Sequence, residues 1–243
     1  MRLWFVMPVH ERFELTAICL RQLRRTCDLL TERGLDASCV VIGDDRNLDT
    51  ADGLGFGTIR RENDFLARKY NDGFQLAFDR EHNPRPVDYA VPIGSDDWID
   101  STILKRLPRP NEVLGFRQVA FVNETGRELT QTLLAYDGGV GIRVYPRELL
   151  KAVDYRPADE DRKRACDTSI LYNTRRENDN LQIRYGDRHP LQIVDWKTAG
   201  HQMNTYKTVA RKHRGLNVGD PFEMLSGVYP DKALSEMRAL YGR

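Results

Sequence analysis

The sequence predicts an α/β fold in which a mostly parallel central sheet is flanked by helices, with a small antiparallel hairpin region. Short apolar segments alternate with segments of helical periodicity up to residue 112, and short strands separated by turns follow from residue 113. Strand–helix alternation is typical of parallel sheets. A chain of 243 residues, 40% of them hydrophobic, can bury one large core. We therefore expect a single domain with parts at residues 1–112 and 113–196 and a C-terminal extension at 197–243.

The composition argues against several classes of protein. Lys and Arg total 37 and Asp and Glu total 36, so no overall field favours non-specific nucleic-acid binding. The four cysteines form no CxxC pair, which is typical of reduced thiols. No apolar run approaches the roughly 18 residues of a membrane span. The sequence thus predicts a soluble, cytoplasmic protein without a membrane span.

The first three elements predict a parallel unit. Residues 3–7 form a continuously apolar strand, and residues 38–42 form a second. Between them, apolar residues recur at helical spacing from Leu15 to Leu30, and Gly34 follows as a stop. Such a unit binds ligands beyond the carboxyl ends of its strands.

The next elements complete the predicted sheet. Residues 50–57 contain three glycines and predict a loop, and residues 58–61 predict a short strand. A helix follows with Leu66, Tyr70, Gly73, Phe74 and Ala77 on its apolar face, and with Arg68 and Lys69 off that face. The strand beginning at Tyr89 then leads to Asp100, a predicted cap for another short helix.

The second half predicts a hairpin and two further helices. Strands are expected at residues 113–116, 118–122 and 129–136, with a turn at 124–127. Short helices are expected at 147–151 and after Cys166, a last strand at 191–196 and a weakly helical tail at 221–240. The glycine-rich loop at 138–141 lacks the Gly-Lys-Ser/Thr of a phosphate-binding P-loop.

Paired carboxylates follow two of the predicted strands. Asp96 and Asp97 end an apolar strand, so their charges must be exposed at a cleft or neutralised by a partner. Such a pair can hold a hard divalent cation against a phosphorylated ligand, although capping of a following helix is the alternative. Asp44 and Asp45 stand similarly after the second strand, where a simple turn is the alternative. Asp167 near a helix start is either functional or a cap.

Several short motifs, taken in order, resemble the family-two glycosyltransferases of the GT-A fold. They are Pro8-Val9-His10-Glu11-Arg12, Val41-Ile42-Gly43-Asp44-Asp45, Asn63 with Ala67-Arg68 and Asn71-x-Gly73, and Ser95-Asp96-Asp97. The resemblance spans roughly residues 1–175. It implies a Rossmann-like nucleotide-sugar donor half at 1–112 and an acceptor half at 113–196.

The resemblance also implies a role for individual residues of the donor site. Pro8, Val9 and Glu11 would line the nucleotide pocket, and Asp44 would accept a hydrogen bond from the base. Arg68 would lie near the base or the phosphates. Ser95 and Asp96 would belong to the same donor site and would lie near the ribose or the metal.

The metal and catalytic residues follow from the same resemblance. Asp96 and Asp97 match the family's DxD-type element and would hold Mn²⁺ or Mg²⁺, with His201 as a third ligand. Asp167 would be the catalytic carboxylate, with Glu160-Asp161 as a rival. Gly94 stands where many members carry the first Asp of the element, and Asp167 lacks the usual preceding Glu.

The predicted function is therefore metal-dependent transfer of a sugar from a nucleotide-sugar donor, a UDP-sugar, to a hydroxyl acceptor with inversion. The basic segment 197–214 would close over the diphosphate or lie solvated. The acceptor stays open among a glycan, a lipid-linked sugar, a protein and a modified nucleic acid. A non-catalytic nucleotide-sugar or glycan-binding module is one alternative. A nucleotidyltransferase is another, but it predicts a glycine-rich loop after the first strand, which residues 8–12 lack.

Overall fold

The structure is a computed structural model that describes residues 1–43, 45–78, 83, 85, 87–134, 139, 141–162, 166–186, 189, 191–197 and 216–242. The described strands, in chain order, are β1 Arg2–Pro8, β2 Asp36–Gly43, β3 Gly57–Arg60, β4 Tyr89–Pro92, β5 Asp97–Ile99, β6 Glu112–Gly115, β7 Gln118–Val122, β8 Leu129–Leu133, β9 Tyr145–Pro146, β10 Gln182–Tyr185, β11 Ile193–Trp196 and β12 Leu216–Gly219. The described helices are α1 Phe13–Glu32, α2 Asp45–Gly53, α3 Leu66–Phe78, a 3₁₀ turn at Ser101–Leu104, α4 Arg147–Lys151, α5 Cys166–Arg176, α6 Pro221–Met224 and α7 Asp231–Leu240.

The central sheet is mostly parallel, as predicted. Its strand order is β3-β2-β1-β4-β9, in which the first four strands are parallel and β9 runs antiparallel to β4. A second five-stranded sheet has the order β12-β8-β7-β11-β5, and β10 pairs with β6 separately. The predicted hairpin is confirmed as β7 and β8, which pair antiparallel inside the second sheet.

Helices cover both faces of the central sheet because successive side chains of a strand point to opposite faces. Leu3, Phe5 and Met7 of β1 lie in a core cluster with residues of α1 and α2. Val6, between them, lies in a second cluster with α3, α4 and α5. A strand buried in this way on both faces must be continuously apolar, which is why the periodicity of residues 3–7 predicted it.

A third cluster lies behind the second sheet. Trp98 of β5 and Trp196 of β11 pack there with their ring centroids 4.9 Å apart. The tail supplies the opposite wall, with Phe222, Tyr229 and Met237 among its buried residues. The weakly helical tail at 221–240 therefore packs against one face of the second sheet.

Two local predictions are wrong. Residues 50–57 are not a loop throughout, since α2 continues to Gly53 and buries Leu48 and Ala51 at helical spacing. Lys69 does not lie off the buried face: it is 1% exposed, and its Nζ donates hydrogen bonds to Val9 O at 2.8 Å and Asn63 Oδ1 at 3.0 Å. A charge can be buried when such acceptors replace water.

No helix among the described residues is both long and apolar enough to cross a bilayer.

Close packing of α3 on the sheet gives the first prediction. A Cβ at Gly73 would lie 2.4 Å from Val6 Cγ1 and 2.8 Å from Ile42 Cδ1, both in the sheet. We expect Gly73→Ala to lower the free energy of unfolding by about 1–3 kcal/mol through overpacking. Gly53→Ala is the matched control, because nothing lies within 4 Å of its added Cβ. Urea denaturation measures both, and equal stability of the two variants would contradict this packing.

Candidate active site

The candidate site lies at the carboxyl edge of the central sheet, where the loops after neighbouring parallel strands meet. The loop after β1 is tied to β2 by a hydrogen bond from Val9 N to Ile42 O of 2.8 Å. The loop after β4 is tied to β1 by a hydrogen bond from Ile93 N to Val6 O of 3.1 Å. This edge is where open α/β sheets bind ligands.

Three carboxylates converge at this edge. Asp96, Asp97 and Asp195 each offer a carboxylate oxygen, and these oxygens lie within 4.8 Å of one another. Asp96 and Asp97 follow β4, whereas Asp195 comes from β11, which pairs antiparallel with β5 so that Asp195 lies opposite Asp97. We call these three residues the acidic cluster.

Two cationic side chains contact the acidic cluster. Arg12 Nη1 donates a hydrogen bond of 2.7 Å to Asp96 Oδ2, and its Nη2 donates one of 2.9 Å to Ser95 Oγ. Lys197 Nζ lies 2.6 Å from the Asp195 carboxylate and 3.9 Å from Asp96 Oδ2. Counting described residues alone, two cations against three carboxylates leave the group short of positive charge if every carboxyl is ionised.

Burial and charge separate the acidities of the three carboxyl groups. Burial raises the pKa of Asp96, but the charges of Lys197 and Arg12 outweigh it and hold that pKa below its ordinary value. Burial, with the charges of Asp195 and Asp96, raises the pKa of Asp97 well above its ordinary value. Burial also raises the pKa of Asp195 to about 6, against the opposing charge of Lys197. The cluster therefore favours added positive charge.

Lys197 is held as an ammonium by the same carboxylates. Burial lowers its pKa, but the charges of Asp195 and Asp96 outweigh burial and raise it to about 12. The residue is 7% exposed, and its Nζ lies 5.7 Å from the centre of the Phe121 ring. This lysine is thus a resident charge of the site.

Gly94 gives the two adjacent carboxylates the room they need. Its N–H donates a hydrogen bond of 2.8 Å to Asp97 Oδ2. A Cβ at Gly94 would lie 2.6 Å from Asp97 Oδ2 and 3.0 Å from Asp96 Oδ1. A side chain at this position would therefore require both carboxylates to shift.

The turn after β1 is strained. Glu11 and Arg12 both adopt left-handed backbone conformations, with φ angles of 51° and 46°, and such residues cost on the order of 1–3 kcal/mol each. Asn47 Nδ2 donates a hydrogen bond of 3.2 Å to Glu11 O and helps to hold the turn. The strained conformation is the one in which Arg12 reaches Asp96 and Ser95.

The other predicted donor-site residues fall into three groups. Pro8 is the last residue of β1, Val9 is buried beside it and Glu11 lies in the strained turn, so all three are at the carboxyl edge. Arg68 Nη1 instead donates a hydrogen bond of 2.7 Å to Asp64 Oδ2, and its guanidinium lies 4.6 Å from the centre of the Phe65 ring. The predicted residues Asp44 and His201, with nearly all of the basic segment, lie outside the described residues.

Asp167 lies in the first turn of α5, as predicted, and its side chain is 39% exposed. Arg143, almost fully buried, donates a hydrogen bond of 2.8 Å from Nη1 to Asp167 O, and its Nη2 lies 4.0 Å from Asp167 Oδ2. The rival carboxylates differ. Glu160 is ion-paired with Arg156, and the Asp161 side chain is 94% exposed.

Tyr70 of α3 lies within electrostatic range of both groups of carboxylates. Burial raises the pKa of its phenol well above the ordinary value, and the charges of Asp167, Asp97 and Asp96 add to that increase. The negative charges of Asp167 and of the acidic cluster therefore both raise the pKa of the same buried phenol.

Sequence reasoning missed Asp195, Lys197 and Arg143 as site residues and treated Arg12 only as part of a motif. A signal for Asp195 was present, since it is a carboxylate inside the apolar run from Leu191 to Trp196. Lys197 directly follows that strand but was counted with the basic segment.

Comparisons with known proteins add similarity of fold. No protein-family model matches the sequence, and no curated protein matches it. The structure is similar to glucosyl-3-phosphoglycerate synthase from Mycobacterium tuberculosis, solved with Mn²⁺, uridine diphosphate and phosphoglyceric acid: the TM-score is 0.49 and the identity 9%, over 99% of this chain and 78% of that one.

Two further structures are similar at a lower level. One is a glycosyltransferase involved in glycosylation of the major capsid of PBCV-1, with a TM-score of 0.43 and 10% identity over 80% of this chain and 93% of that one. The other is the inositol-1-phosphate CTP transferase from T. maritima, with a TM-score of 0.42 and 11% identity over 98% of this chain and 96% of that one. All three TM-scores are below 0.5, so these similarities carry no information about function.

The ion pair between Arg12 and Asp96 gives the second prediction. We expect Arg12→Met to lower the free energy of unfolding by about 1.5–3 kcal/mol, because a partly buried carboxylate loses a charged hydrogen-bond donor. Arg176→Met is the control, since its pair with Glu177 is largely exposed and therefore contributes little to stability. Thermal and urea unfolding measure the difference, and equal losses would contradict a structural role of the Arg12 pair.

Proposed function

We propose that this chain is a metal-dependent glycosyltransferase that moves a sugar from a nucleotide-sugar donor, a UDP-sugar, to a hydroxyl acceptor with inversion. The acidic cluster at the carboxyl edge of the parallel sheet is the observation that carries the proposal. A separate carboxylate, Asp167 of α5, is accessible to a substrate. A site for a phosphate-bound cation and a separate base are the two parts that this reaction needs.

The donor set of the acidic cluster fits a hard divalent cation. Mg²⁺ and Mn²⁺ prefer carboxylate oxygens, and the cluster offers three carboxylates. Within the described part of the chain, no group donates a hydrogen bond of good geometry to the buried Asp195 Oδ1, although Lys197 lies in ionic contact with it. Asp96, Asp97 and Asp195 would hold the ion, and His201 is proposed as a further ligand. When bound, the ion supplies positive charge that stabilises the departing diphosphate.

The chain's own residues would bind and orient the donor. Pro8, Val9 and Glu11 lie at the carboxyl edge, where the nucleotide is proposed to bind beside Arg12. Asp44 is proposed to accept a hydrogen bond from the base. Arg68 would have to leave Asp64 to reach a phosphate, so its proposed role requires a side-chain rearrangement.

Asp167 would accept the proton of the acceptor hydroxyl. Its carboxylate is exposed enough to meet a substrate, and the buried Arg143 fixes the backbone that carries it. Deprotonation makes the hydroxyl oxygen a better nucleophile for the anomeric carbon. Attack opposite the leaving diphosphate inverts that carbon.

One experiment separates this function from the two alternatives. The protein is incubated with Mn²⁺ and a panel of UDP-, GDP- and dTDP-sugars, and release of the nucleoside diphosphate is followed. Slow hydrolysis of one donor supports a glycosyltransferase, whereas binding without hydrolysis favours a binding module. Turnover of a nucleoside triphosphate with a sugar phosphate, releasing pyrophosphate, would favour a nucleotidyltransferase.

The third prediction concerns the metal. We expect Asp195→Asn to weaken Mn²⁺ binding at least about tenfold, since even the outer partners of metal ligands contribute roughly 10- to 100-fold. Isothermal titration calorimetry measures the affinity. Asp179→Asn, the same change at an exposed position, should bind Mn²⁺ like the unaltered protein. Unchanged affinity in Asp195→Asn would remove Asp195 from the ligand set.

The fourth prediction concerns the proposed base. We expect Asp167→Asn to reduce the transfer rate by about 10²–10⁴, the usual contribution of a general base, while UDP and Mn²⁺ bind as before. Rates are measured with the donor identified by the hydrolysis panel, and Asp179→Asn again serves as the control. Full activity in Asp167→Asn would contradict the assignment of Asp167 as the general base.

A further inference from the structure

We propose that Lys197 is an internal counter-cation that occupies the acidic cluster until a divalent cation displaces it, so that this lysine sets the affinity of the site for metal. The inference rests on the proposed function, because the displacing ion is the metal of that site. Without metal, the charge of Lys197 would offset the repulsion among the carboxylates of the acidic cluster. It would also make metal binding weaker than three carboxylates alone would allow.

The position of the ammonium supports this competition. Lys197 Nζ lies 2.6 Å from the Asp195 carboxylate and 3.9 Å from Asp96 Oδ2, so it contacts two of the three carboxylates that would hold the ion. An ammonium and a divalent cation repel each other strongly at such distances when they are shielded from water. Both cannot stay in contact with the same oxygens, and the ammonium must move when the metal binds.

The backbone at Lys197 is anchored, which confines this movement to the side chain. Lys197 N donates a hydrogen bond of 3.0 Å to Val122 O on β7. Lys197 O accepts one of 2.7 Å from Tyr241 Oη. The Tyr241 ring is itself fixed against Gly126, where a Cβ would lie 2.6 Å from the ring. A flexible four-carbon stem on a fixed backbone can carry its charge in and out of the cluster.

The same arrangement gives the C-terminal segment a role. Tyr241 directly follows α7 and packs against Trp196, with ring centroids 6.0 Å apart. Trp196 is the neighbour of both Asp195 and Lys197 in sequence. The tail therefore fixes the strand end that delivers one carboxylate and one competing cation to the site.

The first test compares Mn²⁺ affinity by isothermal titration calorimetry. Lys197→Met keeps the length of the stem but removes the charge, and we expect it to bind Mn²⁺ at least about tenfold more tightly, which corresponds to about 1.4 kcal/mol. We also expect a lower melting temperature than the unaltered protein without metal, and a larger increase on adding Mn²⁺. Lys232→Met, an exposed change on α7, should leave both quantities unaltered.

The second test uses the unaltered protein and so does not depend on how the variant folds. Brief acylation of lysine amines, quantified by peptide mass spectrometry, reports how accessible Lys197 is. We expect Lys197 to be modified several-fold faster when Mg²⁺ is present, because the displaced ammonium becomes accessible. Lys232 should react at the same rate with and without Mg²⁺.

The outcomes distinguish this inference from the proposed function. If Mn²⁺ binds the unaltered protein but Lys197→Met binds no more tightly and Mg²⁺ leaves the labelling of Lys197 unchanged, the competition is overturned while the metal site stands. If neither protein binds Mn²⁺, the metal-dependent function and this inference fail together. Binding that is detectable only in Lys197→Met would support the competition in its strongest form.

Discussion

The pairing of β5 with β11 is the constraint on which the rest of the site depends. It sets Asp97 opposite Asp195, and residues opposite each other in an antiparallel pair project from the same face. The alternate residues, Trp98 and Trp196, project from the other face into the third core cluster. A one-residue slip would exchange the faces and bury carboxylates among tryptophans. The hydrophobic core behind the strands thus fixes the register that brings the charges together.

Charge compensation explains why the surrounding loops have the form they do. Partly buried carboxylates this close together repel one another unless cations lie beside them. Arg12 supplies one cation from a turn whose left-handed backbone is costly, and Lys197 supplies another from the end of β11. The strained turn and the buried lysine therefore have the same effect: each places a positive charge beside the carboxylates. Arg12 lies in the turn after β1, and Lys197 directly follows β11.

The sequence predicted the layered parts of the fold because burial on a regular element leaves a periodic signal. The continuous apolar run of residues 3–7 and the helical spacing in α1 led to the observed strand and helix. The helix α2 was missed because its mean hydropathy is low and its last residue is one of the three glycines that suggested a loop. Lys69 was misplaced because a buried lysine looks like a solvated one until its acceptors are known.

The acidic cluster shows why part of a site escapes sequence reasoning. Asp96 and Asp97 are adjacent in the chain and were predicted as a pair, whereas Asp195 joins them across 97 intervening positions through strand pairing. Gly94 seemed to leave the pair short of a carboxylate, yet a side chain there would strike both neighbours. The third carboxylate instead reaches the cluster from β11. A sequence motif contains only residues that are close in the chain. It therefore omits a carboxylate that strand pairing brings in from a distant part of the sequence.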